Sequence, residues 1–433
     1  MAMPPAPPLR RAPRSAGSPA PPASVDSRAG LADTPTDDAP LTVLLVHNEY
    51  QQRGGEDGVF EREGALLEEE GHRVLRYVLH NDEVEGMSRL SLLGRTLWSR
   101  DAYREVRETV EAEGVDVVHV HNTLPLASPS VFHAGQAGGA ATVHTLHNYR
   151  MVCPGNLLLR DGEICHDCVG LAFAAPAVRH ACYRDSRSAT AAVAATLALH
   201  RRLGTWDTAV DRYIALSAFA RDLFVEGGLP PERVAVKHNA PAADAGDPCL
   251  EVVGDFVLFA GRLDRGKGID VMLRAWSSDP TLPPLRVAGD GPLAADVARA
   301  ATEDDRIMWL GWQDEASMDR LMCEAAVLVA PSMTYEGWPL SAVEAMGKGT
   351  PVVATDHGAF PEMIEAGQTG ALFPRGDAAA LAAAVHALAD DPDHLGAVRA
   401  GTLARFRQRF TREVNYRQLR SIYADAIRQR AGG

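Results

Sequence analysis

The chain has 433 residues, with 43 Lys and Arg against 57 Asp and Glu, and a formal net charge of −14. Its hydrophobic fraction of 46% is ordinary for a globular protein, and the length allows two or three domains with their own cores. The acidic balance argues against a general nucleic-acid binder, because such proteins need a basic surface to neutralise phosphates. No apolar run reaches the roughly 18 residues that span a bilayer.

The first 40 residues differ from the rest of the chain. They contain ten of the 28 prolines, and proline cannot donate to the hydrogen bonds of a helix or sheet. We therefore predict a disordered tail over residues 1–40. Arg10, Arg11 and Arg14 are followed by no apolar segment, so no secretion signal is predicted. The expected location is cytoplasmic, with the inner face of the membrane as a more specific alternative.

From residue 41 onward, short apolar strands alternate with helices. Leu41–Val46 predicts a strand buried on both faces, residues 59–70 a helix ending at Gly71, and Arg73–Val78 the next strand. Later strands are predicted at 117–120, 141–146, 213–216 and 234–237, with a helix at 100–113. This βαβ pattern predicts a Rossmann-like domain over residues 41–240, with a cysteine-rich insertion at about 151–185.

A second series of strands follows a predicted linker at 239–250. Its members are predicted at 256–259, 285–288, 307–310, 327–330, 352–354 and 371–373. They predict a second doubly wound α/β domain over residues 251–411, and a helical segment over 412–433 that packs back on the first domain. Ligands of open parallel sheets bind beyond the carboxyl ends of the strands, so two such domains facing each other create one cleft.

The second half carries polar motifs at its strand ends. Arg262 and Lys267 lie among glycines after the first strand, as expected of a diphosphate site. Glu336 and Gly337 follow the strand at 327–330, and Glu344 lies in the helix beyond them. A strand-to-helix junction offers free N–H groups to an anion. Two glutamates eight residues apart, taken alone, are more often a solvated loop acid and a helix acid.

Taken together, these motifs resemble the signature set of the family-4 retaining glycosyltransferases. The matching segments are Gly261–Leu263, Lys267–Gly268, Ala288–Pro292, Pro331–Ser332, Glu336–Met346, Gly349–Ala354, Pro361–Ile364 and Gly367–Gly370. The resemblance implies the GT-B fold, two Rossmann-like domains facing each other across a cleft. It also implies that Arg262 and Lys267 bind the diphosphate of a nucleotide-sugar donor, that Glu336 binds the donor sugar, and that Glu344 binds the ribose.

The first half carries weaker matches to the same family. Arg53–Glu56 resembles the glycine-rich loop that approaches the donor phosphates and the acceptor. A histidine at a strand end is more often structural, but His147 matches the position of the family's active-site histidine. The implied donor-binding set is Gly54, Gly55, Arg262, Lys267, Gly289, Glu336, Gly337, Trp338, Pro339, Leu340 and Glu344. The implied catalytic set is His147, Glu336, Arg262 and Lys267, and the acceptor-side set is His121, Asn122, His147 and Asn148.

The resemblance implies transfer of a hexose, with retention, from a UDP- or GDP-sugar to a hydroxyl of a glycan or lipid-linked acceptor, in polysaccharide or glycoconjugate biosynthesis. Retention would follow from attack on the same face, assisted by the leaving phosphate. No catalytic metal is expected, because Arg262 and Lys267 can supply the charge and no D-x-D motif lies in a suitable loop. The alternatives are a nucleotide-sugar epimerase or phosphorylase of the same fold, and a non-catalytic, zinc-stabilised glycan-binding protein.

Six cysteines in a cytoplasmic chain are expected to be reduced. Four of them cluster in sequence around a C-x-x-C knuckle, and they suggest a structural zinc site, a redox pair or four unrelated thiols. These four are Cys153, Cys165, Cys168 and Cys182. A basic segment nearby either contacts an anionic lipid-linked acceptor or membrane surface, or is a solvated helix face. Its arginines are Arg179, Arg184, Arg187, Arg201 and Arg202.

Overall fold

The computed structural model describes residues 39–51, 54–241, 249–250 and 254–432. Nearly all of the tail predicted at 1–40 lies outside the described residues, as do Arg53 of the glycine-rich loop and most of the predicted linker. Within the described ranges, no helix combines the length and the apolar character needed to cross a bilayer.

Two six-stranded parallel sheets and one short hairpin contain all the named strands of the described residues. The first sheet has the order β2-β1-β3-β4-β7-β8, the second has the order β11-β10-β9-β12-β13-β14, and β5 pairs with β6. The strands are β1 (Thr42–Glu49), β2 (Arg73–His80), β3 (Val117–Val120), β4 (Ala141–Leu146), β5 (Leu159–Arg160), β6 (Glu163–Ile164), β7 (Arg212–Ala215), β8 (Val234–Val236), β9 (Val257–Ala260), β10 (Leu285–Ala288), β11 (Ile307–Gly311), β12 (Val327–Ala330), β13 (Val352–Thr355) and β14 (Gly370–Phe373).

Helices connect the strands and cover the sheets. They are α1 (Gly55–Glu69), α2 (Arg89–Leu97), α3 (Arg100–Glu113), α4 (Ser130–Ala137), α5 (Ala175–His180), α6 (Arg187–Arg202), α7 (Thr205–Thr208), α8 (Ala218–Glu226), α9 (Ile269–Ser278), α10 (Ala294–Glu303), α11 (Glu315–Glu324), α12 (Leu340–Gly347), α13 (Phe360–Met363), α14 (Ala378–Ala389), α15 (Pro392–Arg409) and α16 (Arg412–Gly432). The predicted fold class, two Rossmann-like doubly wound domains, is confirmed.

Strand positions agree closely with the prediction because central parallel strands are buried on both faces and are therefore rich in apolar and β-branched residues. Every residue of β3 and β4 is buried, and the predicted bounds of β3, β4, β10 and β12 match the structure. The helix predicted at 59–70 instead begins at Gly55. The Asp57 carboxylate accepts the Gly54 N–H at 2.7 Å, and this capping contact starts the helix before its apolar face begins.

The C-terminal helix α16 packs against the first domain. Leu419, Ile422 and Tyr423 join the core formed by Val43 and Phe60. The chain thus returns from the second domain, and α16 covers one face of the first sheet.

One expectation about the cysteines is wrong. Cys249, in the predicted linker, forms a disulfide with Cys323 of α11, with the Cα atoms 5.3 Å apart. The two residues are separated by 74 positions in sequence, so only the tertiary approach of the linker to α11 reveals the pair. The six cysteines are therefore not all reduced, since two of them form this disulfide.

Candidate active site

The loops that carry the predicted donor motifs meet at one edge of the second sheet. Strand β9 lies between β10 and β12, so the chain crosses to opposite sides of β9. The loops after β9, β10 and β12 therefore converge at the carboxyl ends of neighbouring strands. This is the position where doubly wound sheets bind ligands.

Lys267 and Glu336 form the best-defined polar pair at this edge. The Lys267 Nζ lies 2.8 Å from Glu336 Oε1 and 3.0 Å from Oε2, and the Ser332 hydroxyl donates to Oε1 at 2.7 Å. Burial alone would raise the pKa of Glu336, but the Lys267 ammonium and these hydrogen bonds hold that pKa below its ordinary value. The site thus contains an ionised carboxylate beside a cation that is one-third exposed.

Backbone geometry brings these two side chains together. The Asp264 carboxylate accepts the Lys267 N–H at 3.0 Å and shapes the turn after β9. Gly268 has φ +72°, and a Cβ there would lie 1.8 Å from the Pro331 carbonyl oxygen. The turn after β9 therefore rests directly on the turn after β12, an approach that only glycine permits.

Arg262 lies in a different part of the cleft from Lys267. It lines an open pocket of about 760 Å³ together with Gly289 and Asp290, and its side chain is 59% exposed. Gly289 has φ +140°, and a Cβ there would lie 1.9 Å from the Gly261 carbonyl oxygen. The Arg262 guanidinium lies 3.5 Å from the Asp264 carboxylate, whereas the Lys267 ammonium contacts Glu336, so the two cations predicted to share one diphosphate have different side-chain partners.

Other members of the predicted donor set have interdomain partners. Glu344 of α12 pairs with Arg62 of α1 at 3.2 Å, and burial raises the pKa of Glu344 while Arg62 opposes the rise. Trp338, another predicted donor residue, is 5% exposed and stacks on His238 with ring centroids 3.8 Å apart, so its ring packs between residues of the two domains. Its donor contact was expected from the backbone around Gly337 to Leu340 and stays a prediction.

The next two predicted donor residues start a helix. Pro339 is the N-cap residue of α12, and Leu340 is the first residue of that helix. The loop that carries Glu336 therefore ends at a helix N-terminus, as the sequence predicted.

The first sheet contributes a cluster of histidines at its own strand ends. The His147 Nε2 lies 2.9 Å from the His121 Nδ1. Burial lowers the pKa of His121 to about 4 and holds the pKa of His147 well below its ordinary value, so both rings are neutral at pH 7. Both line a small cavity of about 40 Å³, together with Asn122 and Asn148. Asn122 also has a structural role, because its Oδ1 accepts the Leu124 N–H at 3.0 Å.

Glu56 is a residue of this cavity that the sequence-based prediction missed. The Tyr50 hydroxyl donates to its carboxylate at 2.8 Å, and the Asn148 amide donates at 3.5 Å. Burial raises the pKa of Glu56 to about 7. The available signal was its place directly after Gly54 and Gly55. A Cβ on Gly55 would meet nothing within 4 Å, so the loop leaves space for a ligand.

The two halves of the site are in contact. A Cβ on Gly337 would lie 3.3 Å from the His147 carbonyl oxygen, and the Tyr149 hydroxyl donates to the Glu336 carbonyl oxygen at 3.4 Å. The Glu362 carboxylate also accepts two N–H groups at the start of α8, at 2.6 and 2.7 Å. An acid at a helix N-terminus is stabilised by the helix dipole. The structure therefore brings His147 and Glu336 to one cleft.

The cysteine-rich insertion borders this cleft. Arg375 of the second domain pairs with Glu163 of the β5–β6 hairpin at 3.1 Å, and the His166 ring lies 5.7 Å from the Tyr335 ring. Burial raises the pKa of the Cys168 thiol to about 11, and the thiols of Cys153, Cys165 and Cys182 add to the rise. The four thiols thus share one neighbourhood. A metal site needs at least three ligand atoms close together. Among the described residues, Glu63, His119 and His121 have ligand atoms within 4.8 Å of one another, but no three of these four cysteines do.

These features define a two-domain α/β protein of the GT-B fold, with a polar cleft at the facing strand ends. Residues 39–240 match the glycosyl transferase 4-like domain, and residues 254–391 match the glycosyl transferases group 1 domain. Between them the two matches cover most of the chain. The chain therefore belongs to the group 1 glycosyltransferases, in agreement with the resemblance seen in its motifs.

Relatives support this assignment. The chain is 30% identical to the amylovoran biosynthesis glycosyltransferase AmsK of Erwinia amylovora, over 45% of this chain and 48% of that protein. It is 38% identical to a phosphatidyl-myo-inositol mannosyltransferase of Mycobacterium leprae, over 43% of this chain and 52% of that protein. The matched region is about half the length of these relatives.

Solved structures share the fold at low sequence identity. The Anabaena protein HepE in complex with UDP has a TM-score of 0.62 at 17% identity, covering 89% of this chain and 100% of that chain. A glycosyltransferase from Rickettsia africae has a TM-score of 0.63 at 15% identity, covering 90% and 99%.

Proposed function

We propose that this protein is a retaining glycosyltransferase that moves a sugar from a nucleoside diphosphate sugar to a hydroxyl acceptor in polysaccharide or glycoconjugate biosynthesis. The observation that carries the proposal is the Lys267–Glu336 pair at the carboxyl ends of β9 and β12, with the Gly337 backbone against His147. Relatives named for amylovoran synthesis and for mannosyl transfer to phosphatidyl-myo-inositol support it, as do similar folds holding UDP or UDP-glucose.

Each group has a role in this reaction. Lys267 neutralises the charge that develops on the departing diphosphate, and Arg262 meets the same anion from the open pocket. Glu336 accepts hydrogen bonds from hydroxyls of the donor sugar. Glu344 accepts hydrogen bonds from the ribose, and for this it exchanges its contact with Arg62 for contacts with the nucleotide.

The carboxylates of the site suit ligand binding better than nucleophilic attack. A retaining hydrolase uses two carboxyl groups about 5 Å apart, one of them a free nucleophile. Glu336 is instead held by Lys267 and Ser332, three hydrogen bonds that reduce its nucleophilicity. We therefore favour a same-face mechanism, in which an oxygen of the leaving diphosphate accepts the proton of the attacking hydroxyl.

A donor screen tests the proposal. Purified protein is incubated with uridine-, guanosine- and adenosine-diphosphate sugars, and release of the nucleoside diphosphate is measured together with the anomeric configuration of the sugar product. We expect slow hydrolysis of one donor class with retained configuration. Conversion of the donor to its epimer without diphosphate release would indicate the epimerase alternative. Absence of both binding and turnover for every donor would support the non-catalytic alternative.

Glu56 provides a pH-dependent prediction. Its carboxylate form accepts a stronger, charge-assisted hydrogen bond from the acceptor hydroxyl than its protonated form does. Because burial raises the pKa of Glu56 to about 7, we expect kcat/KM for the acceptor to rise through about pH 7. In Glu56→Gln this inflection should disappear and the rate should fall roughly tenfold to a hundredfold. An unchanged inflection in the variant would show that another group titrates.

Exposed arginines that could attract an anionic acceptor lie in the cysteine-rich insertion and in α6. They are Arg179, Arg184, Arg187 and Arg202, and the insertion also exposes Leu171 and Phe173. Arg201 differs, since it donates to the Gly227 carbonyl oxygen at 2.8 Å. We propose that this surface contacts an anionic lipid-linked acceptor at a membrane.

We also propose that the four clustered cysteines bind one structural zinc ion, with no step of the transfer routed through it. Four thiolates are a preferred ligand set for zinc, and because no three of the four described sulfur atoms lie within 4.8 Å of one another, zinc binding would draw the thiols together. Metal analysis of purified protein should find about one zinc atom per chain. The Cys165→Ser/Cys168→Ser variant should lose it and melt at a lower temperature. Metal-free protein with full stability and all four thiols free would contradict the proposal.

A further inference from the structure

A buried chain of polar groups runs beneath His147 into the core of the first domain. The Lys237 Nζ lies 2.8 Å from Glu63 Oε2, and Glu63 Oε1 lies 3.3 Å from the His121 Nε2. The His121 Nδ1 in turn lies 2.9 Å from the His147 Nε2. Lys237, Glu63 and His121 are each at most 4% exposed. Lysine, carboxylate and imidazole therefore follow one another from the core to the cleft.

The charge of Glu63 determines where the protons lie. Coulomb attraction to Lys237 and the histidines outweighs burial and holds the pKa of Glu63 well below its ordinary value, so it is a carboxylate that can only accept. The 3.3 Å contact between Glu63 Oε1 and the His121 Nε2 does not have hydrogen-bond geometry, but the carboxylate charge beside Nε2 favours the His121 tautomer that carries its proton there. Its Nδ1 is left as an acceptor, so His147 carries its proton on Nε2 and has its lone pair on Nδ1.

A relay through neighbouring polar groups fits these residues better than a metal site. Glu63, His119 and His121 do place three ligand atoms within 4.8 Å of one another. However, the Lys237 ammonium already neutralises Glu63, and a second cation beside it would be repelled. The His119 Nδ1 also lies 3.0 Å from Glu63 Oε1 and 2.8 Å from the Tyr423 hydroxyl, and its Nε2 lies 2.8 Å from Thr145 Oγ1.

We propose that Glu63 is a positioning residue that fixes the tautomer of His121 and, through it, the tautomer of His147. His147 then presents a neutral Nδ1 acceptor to a sugar hydroxyl in the cleft. This inference rests on the proposed function, because it assigns His147 a hydroxyl partner. The relay itself is a property of the free protein and is testable without substrate.

The first test is a tautomer measurement on wild-type protein. In protein labelled with ¹⁵N-histidine, the nitrogen shifts of His121 and His147 should report a proton on Nε2 and none on Nδ1 at pH 7. Both rings should stay neutral down to about pH 5, since the pKa of His121 is lowered to about 4. A proton on the His121 Nδ1, or a cationic His147 at pH 7, would overturn the proposal.

The second test compares variants of one helix. Glu63→Gln replaces the carboxylate by an amide that can donate to the His121 Nε2, so we expect the tautomers to shift and kcat to fall roughly tenfold to a hundredfold, with the donor KM little changed. Glu68→Gln is the matched control on α1. Glu68 pairs with Arg76 at 2.6 Å on the surface, and its loss should leave kcat and both tautomers unchanged.

A double variant distinguishes a loss of folding from a loss of the relay. Glu63→Gln leaves the Lys237 ammonium without its counter-ion, whereas Glu63→Gln/Lys237→Met removes both charges and should fold. Wild-type kcat and tautomers in the folded double variant would overturn the relay, as would a stoichiometric metal ion that is lost with Glu63. If the tautomers are as expected but no donor is turned over, the relay stands and the proposed function fails.

Discussion

Glu336→Ala is expected to lower kcat/KM for the donor at least a hundredfold to a thousandfold while leaving the protein folded. In the proposed mechanism this carboxylate accepts hydrogen bonds from the donor sugar, and its loss would also release Lys267 from its contact with Glu336. Charge-stabilising groups in preorganised sites contribute about this much to catalysis. Lys267→Ala should have a similar effect, because it removes the ammonium that reaches both Glu336 oxygens, and Arg262 has a different side-chain partner.

The fold should survive Glu336→Ala because Lys267 is one-third exposed and can be solvated. It should survive Lys267→Ala because Glu336 keeps the hydrogen bond from Ser332 and can take up a proton. Nucleoside diphosphate release measures activity, and circular dichroism with thermal melting measures folding. The Asp304–Arg306 pair is the control: its N–O distance of 2.7 Å is similar, but it lies at the amino end of β11, away from the cleft. Asp304→Ala should keep wild-type kinetics. Wild-type turnover in Glu336→Ala or Lys267→Ala would refute the site assignment.

Acidification is expected to destabilise the protein strongly between pH 6.5 and 4. Burial lowers the pKa of His121, His200 and His238 to about 4 and the pKa of His144 to about 3. In the unfolded chain these histidines take up protons near pH 6.5, whereas the folded protein does not bind them until far lower pH. Unfolding therefore becomes more favourable as pH falls through this window.

The expected loss of unfolding free energy is the sum of the contributions of these four histidines and the opposite contribution of one carboxyl group. Each lowered histidine pKa costs about 1.4 kcal/mol per pH unit below 6.5. Glu56 acts in the opposite direction, because its pKa is raised to about 7 and its folded form gains a proton as pH falls. The net loss between pH 6.5 and 5 is on the order of 6 kcal/mol, comparable with the whole stability of many domains.

Denaturant unfolding at pH 7.5 and pH 5.0 checks this prediction. His144→Phe keeps an aromatic ring beside Phe132 and Tyr213 but cannot titrate. It should therefore reduce the pH dependence of the unfolding free energy by about the contribution of one of the four histidines. His386→Gln is the control, since Asp390 raises the pKa of His386 and its removal should not flatten the curve. Equal stability at the two pH values would contradict the expectation.

Local sequence determined the strands and the polar loops that follow them. The bounds of β12 were predictable because Val327–Ala330 is an uninterrupted apolar run, whereas β4 also buries Thr142, His144 and Thr145 and was predictable from its β-branched residues. The loops with Lys267, Gly268 and Glu336 were predictable because glycine and charge at a strand end serve the same purpose in any doubly wound sheet. The positions of His147 and Glu344 came from resemblance to a family, since neither residue has a distinctive local pattern.

Contacts between segments distant in sequence were decided only by the tertiary structure. Lys237 and Glu63 are 174 residues apart, and the Trp338 ring packs on His238 of the other domain. The Cys249–Cys323 disulfide is of the same kind. Hydrophobic periodicity specifies which face of a strand or helix is buried, but not which distant side chain meets it there. The sequence by itself therefore determined two facing α/β domains and their charged loops. Only the fold decided that His147 contacts His121, which lies beside the buried Glu63–Lys237 pair.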